Sequence, residues 1–191
     1  MTNNMFKYIP NFMNKMEEYE LFNYLENTDD FVPTPQFSNG FSRFQKWYQT
    51  ENKYFCPMWR ERYPQWESFK MDNMIKNIIN IIQNYINNSE YSGKLQINSC
   101  LVNKYPNGDH FIAPHRDSQE SFGEEPIIII LSLGDIRTLF FENKEDKISF
   151  ELESGSLFIM SGNSQKSYLH SLLKSPNKNV RYSLTFREFI L

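Results

Sequence analysis

Residues 181–187 read RYSLTFR. Successive side chains of an extended strand point to opposite sides. Arg181, Ser183, Thr185 and Arg187 therefore share one face, and Tyr182, Leu184 and Phe186 share the other. On a strand open to water such alternation is ordinary. On an interior strand the polar face needs an anionic ligand. Positions i and i+6 stand roughly 20 Å apart along a strand, but long side chains can lean toward one dicarboxylate. Guanidinium binds carboxylate through two parallel N–H bonds, which an ammonium cannot do.

Upstream of this strand, short β-rich runs cover residues 95–105, 127–133, 138–142, 148–152, 156–160 and 167–170, and the final run extends over 181–189. Turn residues separate them: Pro106-Asn107-Gly108, Gly134-Asp135, Ser154-Gly155 and Ser175-Pro176-Asn177. Many short strands with regular turns predict a sandwich or jelly roll.

The first half reads differently. FKYIP over 6–10 predicts a short strand ended by proline. Asn14 with Glu17 three residues later predicts a capping box for a helix over residues 15–25, with Leu21, Phe22 and Leu25 inward. Ile75, Ile78, Ile79, Ile82 and Ile86 repeat at helical spacing and predict a helix over residues 71–87. Residues 28–70 read as irregular and hold Trp47, Trp59 and Trp66. A long irregular segment inside a domain is uncommon and often functional. The expected fold class is α+β, mainly β, with helices first and an all-β core after them.

The chain has 191 residues, which suits one domain. An aromatic content of 16% argues against disorder. A formal net charge of −3 and a pI of about 5.7 do not describe a uniformly basic nucleic-acid binder, so any phosphate-binding surface must be local. Cys56 and Cys100 form no CxxC pair and no zinc pattern, and read as reduced thiols, Cys100 in the core. The N-terminus carries no apolar run of signal-peptide length, and no stretch approaches a membrane span. A soluble intracellular protein is expected, with nucleus and cytoplasm unresolved. Oligomeric state is not legible, and a monomer is the default.

Only His110, His115 and His170 occur in the chain. His115 and Asp117 form an HxD pair, and in an extended segment residues i and i+2 converge on one side. With a distant histidine, His170, the set becomes two imidazoles and a carboxylate. That is the facial triad of non-haem Fe(II) oxygenases, which leaves coordination positions open. Three such ligands could also hold zinc, although no HExxH helix is present. His110 reads as filler. Just upstream, Asn103 and Tyr105 share a strand face and offer an amide and a phenol to one ligand.

Together these segments resemble the AlkB family of Fe(II)- and 2-oxoglutarate-dependent dioxygenases. NKYPNGDHFIAPHRD (103–117) is similar to that family's N-x-Y and H-x-D block, and RYSLTFR to its R-x-N-x-T-x-R block. PIIIILSLG (126–134), LESGSLFIM (152–160) and SYLHSL (167–172) follow in the family's order, and residues 6–25 are similar to its strand-then-helix opening. The resemblance is strong over residues 95–189 and loose over 28–94.

What the resemblance implies is a double-stranded β-helix (jelly roll) core over 95–191, with 1–94 as an N-terminal extension and substrate-recognition lid in one domain. It implies His115, Asp117 and His170 as iron ligands. It implies Arg181 and Tyr105 at the distal carboxylate of 2-oxoglutarate, with Asn103, Ser183 and Arg187 toward the metal. O2 is the oxidant, succinate and CO2 are the co-products, and the implied activity is oxidative dealkylation of N-alkylated bases in DNA or RNA. The alternative is a hydroxylase or demethylase of a protein or small molecule. Two positions depart from the family. Ser183 stands where Asn is usual, and Gln119 stands where a carboxylate that favours cationic methylated bases is usual.

Residues 43–66 interleave basic and aromatic side chains, a pattern suited to a single-stranded or flipped base. Trp47, Tyr54, Phe55 and Gln119 are the expected substrate contacts.

Overall fold

The computed structural model describes residues 5–35, 41–49, 53–55, 60–61 and 66–190. In chain order the elements are β1 (Phe6–Ile9), α1 (Lys15–Glu26), β2 (Val32–Pro35), β3 (Phe41–Gln49), β4 (Phe69–Lys70), α2 (Asn73–Asn87), β5 (Ser99–Tyr105), β6 (Ile112–His115), α3 (Gln119–Phe122), β7 (Ile128–Gly134), β8 (Arg137–Glu142), β9 (Lys147–Leu152), β10 (Leu157–Met160), α4 (Ser164–Ser167), β11 (Leu169–Leu172) and β12 (Arg181–Arg187).

Two sheets form the core. The larger has eight strands in the order β1-β10-β7-β12-β5-β3-β2, with β4 added to β3. The smaller runs β6-β11-β8-β9. β12 sits in the middle of the larger sheet, antiparallel to both β5 and β7. All seven of its residues are buried. Tyr182, Leu184 and Phe186 join the core beneath α1 and α2, alongside Leu21, Leu25, Ile75, Ile82 and Ile86. Each such side chain, fully buried, contributes roughly 1.5–3 kcal/mol. Arg181, Ser183, Thr185 and Arg187 face the other way, into a cavity shared with the smaller sheet. The alternation of RYSLTFR thus separates an apolar outer layer from a polar interior.

The helices form for local reasons. Asn14 Oδ1 accepts from the backbone of Met16 and Glu17 at 3.0 Å, and the Glu17 carboxylate accepts from the Asn14 backbone at 3.1 Å, a complete capping box. Asp72 caps α2 by accepting from Ile75 N at 3.0 Å. The α2 isoleucines at 75, 78, 79, 82 and 86 are all buried, as their spacing required. Cys100 is fully buried; Cys56 lies outside the described residues.

The structure differs from expectation over 28–70, where β2, β3 and β4 extend the larger sheet. In β3 the residues Arg43 and Gln45 line the cavity, and Lys46 interrupts the Phe44 and Tyr48 face, its ammonium 4.7 Å from the Phe69 ring. Neither face reads as an apolar row, so the strand left little hydrophobic signal. The expected run at 167–170 is displaced because residues 164–167 form α4. Residues 95–98 are not strand, although Leu95 and Ile97 are buried.

One tight approach positions the loop before β6. A Cβ at Gly108 would lie 1.7 Å from the Ser175 carbonyl oxygen. Only glycine allows the two loops to close through Ser175 N–H to Gly108 O at 2.8 Å and Gly108 N–H to Lys178 O at 3.1 Å. No helix among the described residues is long and apolar enough to cross a membrane.

Candidate active site

β6 and β11 pair so that His115 and His170 stand directly opposite, with ring centroids 4.1 Å apart. Asp117 follows two residues past the end of β6. Nε2 of each histidine lies 3.7 Å from the same Asp117 oxygen, Oδ1, and one ligand atom from each of the three residues lies within 4.8 Å of the others. His115 Nδ1 is 2.9 Å from the Ala113 carbonyl. Donation there puts the proton on Nδ1 and leaves the Nε2 lone pair facing the carboxylate. Burial and the neighbouring His115 push His170 down to about 3, so its ring is neutral, as metal ligation requires. His115 is lowered by burial too.

Asp117 is held from two further sides. Its Oδ2 accepts from Arg187 Nε at 2.5 Å, and its backbone N–H donates to Gln165 Oε1 at 3.0 Å. Burial opposes its ionisation, but the Arg187 charge and the two imidazoles hold the carboxyl below its ordinary range. With Oδ2 occupied, Oδ1 is the oxygen left for a cation. The Arg187 guanidinium also stacks over Phe122, 4.9 Å from the ring centroid.

At the other end of β12, Arg181 is 1% exposed. It donates to Ser132 Oγ at 2.9 Å and lies 5.4 Å from the Tyr105 ring centroid. Its Nε has no partner among the described residues, and burial pushes its pKa down to about 10. A buried cation served by one hydroxyl and a ring is a site built for an anion. Arg137 on β8, equally buried, lies 5.8 Å from the same ring. It donates to the carbonyls of His110 at 2.9 Å and Leu173 at 2.6 Å.

His115, Asp117, His170, Arg181 and Arg187 share one cavity of about 340 Å³, with Arg137 off its wall; the volume is in the range of small-molecule sites. Asn103, Tyr105 and Ser183 lie on its wall between the two ends. The expected substrate residues separate. Phe55 is on the wall, as is Trp66. Trp47 is 2% exposed and packs edge-on against Phe55 and Phe189 at 5.0 and 5.6 Å. Tyr54 pairs with Glu67 and lies 5.1 Å from the Arg60 guanidinium. Gln119 is exposed at the start of α3. The cavity wall includes none of these three. His110 also stays off it, its Nδ1 2.9 Å from Asn107 Oδ1. Trp59 lies outside the described residues.

Three participants carried no usable sequence signal as site residues: Arg43, whose Nε donates to Asn103 Oδ1 at 2.8 Å, Gln165 and Arg137. Arg43 lay in the basic–aromatic stretch, where alternation with Gln45 was its only mark.

Two imidazoles and a carboxylate around one open point, beside a cavity walled by arginine, define a non-haem iron oxygenase site. The chain belongs to the 2OG-Fe(II) oxygenase superfamily, whose model matches residues 5–187, and Fe(II), 2-oxoglutarate and O2 are the cofactor and co-substrates that go with it. Within that family it is AlkB-like. It is 26% identical to DNA oxidative demethylase ALKBH2 of Arabidopsis thaliana over 64% of this chain and 44% of the relative. It is 32% identical to human alpha-ketoglutarate-dependent dioxygenase alkB homolog 3 over 47% of this chain and 36% of the relative. The matched regions therefore span less than half the length of either curated relative. The structure described as OsALKBH1 superposes with a TM-score of 0.62 at 16% identity, covering 96% of this chain and 97% of that one. A Trichoplax adhaerens prolyl hydroxylase superposes with a TM-score of 0.65 at 16% identity, covering 97% and 84%. Both share the double-stranded β-helix fold. The residues present fit the implied groups: a neutral His170 and an ionised Asp117 for the metal, and the unpartnered Arg181 Nε for a carboxylate.

Proposed function

We propose that this protein oxidatively dealkylates N-alkylated bases in DNA or RNA. The observation that carries the reading is the single cavity that joins the His115, Asp117 and His170 donor atoms to the buried Arg181. His115, Asp117 and His170 would hold Fe(II), with Nε2 of each histidine and Oδ1 of Asp117 as the donor atoms. Arg181 receives the distal carboxylate of 2-oxoglutarate with Tyr105 beside it, and Asn103, Ser183 and Arg187 line the path to the metal. Bound iron supplies O2 activation coupled to oxidative decarboxylation of 2-oxoglutarate to succinate and CO2. Arg187 keeps the Asp117 carboxylate ionised and occupies Oδ2, which leaves Oδ1 turned to the two histidines. Phe55 and Trp66 provide aromatic wall against which a base can lie.

Similarity to a relative described as a DNA oxidative demethylase supports nucleic acid as substrate, with phosphate contacts confined to local basic patches because the whole chain is acidic. The test is iron-loaded protein with 2-oxoglutarate and single-stranded oligonucleotides, each carrying one methylated base, read by intact mass and formaldehyde release. Loss of 14 mass units from an oligonucleotide, roughly one CH2 in exchange for nothing else, is expected together with succinate. Consumption of 2-oxoglutarate with every oligonucleotide unchanged overturns the substrate assignment.

A further inference from the structure

Arg43 brings a positive charge to the cavity wall that the proposed chemistry does not use. Arg187 is bonded to Asp117, and Arg181 faces the distal carboxylate in the reading above. Bound iron would meet the metal-side carboxylate of 2-oxoglutarate. Arg43 has no carboxylate within ion-pair distance among the described residues. Its Nε donates to Asn103 at 2.8 Å, but its terminal nitrogens reach only Ser42 Oγ at 3.4 Å and Gln45 Oε1 at 3.5 Å. Those contacts are long, so N–H groups remain for a ligand. Asp117 is the only carboxylate on the described wall. Gln119, which stands where the resembled family usually has a carboxylate, is exposed on α3 and off it, and so is the neighbouring Glu120. The described wall therefore carries four guanidinium groups, those of Arg43, Arg116, Arg181 and Arg187, against one carboxylate, and Arg43 shares it with the aromatic rings of Phe55 and Trp66.

Resting on the base-dealkylation reading, we propose that the site selects N-methylated bases that are neutral and carry ring carbonyls, such as 3-methyluracil and 3-methylthymine, over cationic 1-methyladenine and 3-methylcytosine. A charged base meets Arg43 as a like charge. A neutral imide meets it as an acceptor. The reaction gives Arg43 a second effect. One oxygen atom of O2 enters succinate and the other converts N–CH3 to N–CH2OH, the four electrons coming from the 2-oxo acid and the C–H bond. The C–N bond then breaks, formaldehyde leaves, and the hydroxyl proton ends on the ring nitrogen. As that bond breaks, an imide nitrogen takes up negative charge that spreads to its flanking carbonyls. Guanidinium N–H groups stabilise this charge. A cationic base only becomes neutral and gains nothing from them.

The experiment compares one single-stranded sequence carrying each of the four bases in turn. Expected is kcat/KM for the neutral pair at least about tenfold above the cationic pair, a modest return for one partly buried charge. Arg43→Gln should collapse that ratio by about tenfold and Arg43→Lys should retain most of it, because a charge near the base is what discriminates. Because Arg43 also holds Asn103, the KM for 2-oxoglutarate should shift, but by less than the base ratio does, since Arg181 is the distal partner. Fluorescence anisotropy without O2, using Mn(II) and 2-oxoglutarate, should give the same order of affinity. Equal or faster turnover of the cationic bases overturns the selectivity while leaving base dealkylation intact, and the wild-type protein alone decides this if Arg43→Gln does not fold. A raised KM for 2-oxoglutarate with unchanged base ratio reassigns Arg43 to the co-substrate and also overturns it. Failure on all four bases removes the underlying reading as well.

Discussion

The two ends of β12 carry the same side chain on the same face, yet their electrostatic settings are opposite. Arg187 finds its anion inside the protein, Asp117 at 2.5 Å. Arg181, equally buried, finds Ser132 and an aromatic ring. The first guanidinium is part of the ligand-free fold. It neutralises a carboxylate that would otherwise be stranded in a dry site. The second is an uncompensated charge whose cost the ligand-free protein bears until an anion arrives. One strand thus builds a metal end that is complete in itself and a co-substrate end that is not.

The largest effect should come from removing the anion at the complete end. Asp117→Ala deletes a metal donor and strands Arg187 together. Iron-dependent turnover of 2-oxoglutarate should fall by more than about 100-fold, beyond the range for loss of a supporting residue, and iron binding should fail in equilibrium dialysis. Retained iron would show that the histidines alone form the site. Next, Arg187→Met in metal-free protein should lose roughly 3–5 kcal/mol in urea unfolding, because a buried carboxylate loses its partner. Arg181→Met should behave oppositely. Replacing an unpaired buried cation with an apolar side chain should leave metal-free stability unchanged or raised. The variant should lose the stabilisation that 2-oxoglutarate gives the wild type, about 2.7 kcal/mol at a ligand concentration 100 times Kd. If the Arg187 and Arg181 variants destabilise alike, the contrast between the two ends is wrong.

How much of this was written in the chain depends on the range of the interaction. The capping box needs only Asn14 and Glu17, so it was legible, as were the α2 isoleucines. RYSLTFR showed both its faces because its outer residues are uniformly apolar and its inner ones uniformly polar. The HxD pair was legible because i and i+2 share a side. β3 was not, since its inner face is polar and Lys46 breaks the outer one. Arg137 and Gln165 were missed for another reason. Their partners are a carbonyl from residue 173 and the backbone of residue 117, contacts that only the folded topology creates. Trp47 illustrates the reverse. An aromatic on a cavity-facing strand looks the same in sequence whether it meets a ligand or, as here, fills a corner between Phe55 and Phe189.

The smallest predicted effect tests whether the outer face of β12 and its inner face are separable. α1 sits on the outer side, where Leu21 and Leu25 share the core with Tyr182 and Leu184, and the Tyr182 hydroxyl donates to the Glu26 carboxylate. Asn14→Ala removes the cap at the far end of that helix, which should cost about 1 kcal/mol. The loss should appear in urea unfolding with an unchanged slope, since the surface exposed on unfolding is the same. It should not reach the cavity. Leu184 pairs with Val102 on β5 and Leu131 on β7 in continuous antiparallel ladders, so a frayed first turn of α1 leaves the position of Arg181 and Arg187 set by the strand pairing. The KM for 2-oxoglutarate should therefore match the wild type. A raised KM at this remote position would mean that the register of β12 depends on how α1 is seated, and that the polar face is held from behind rather than by its own neighbours β5 and β7.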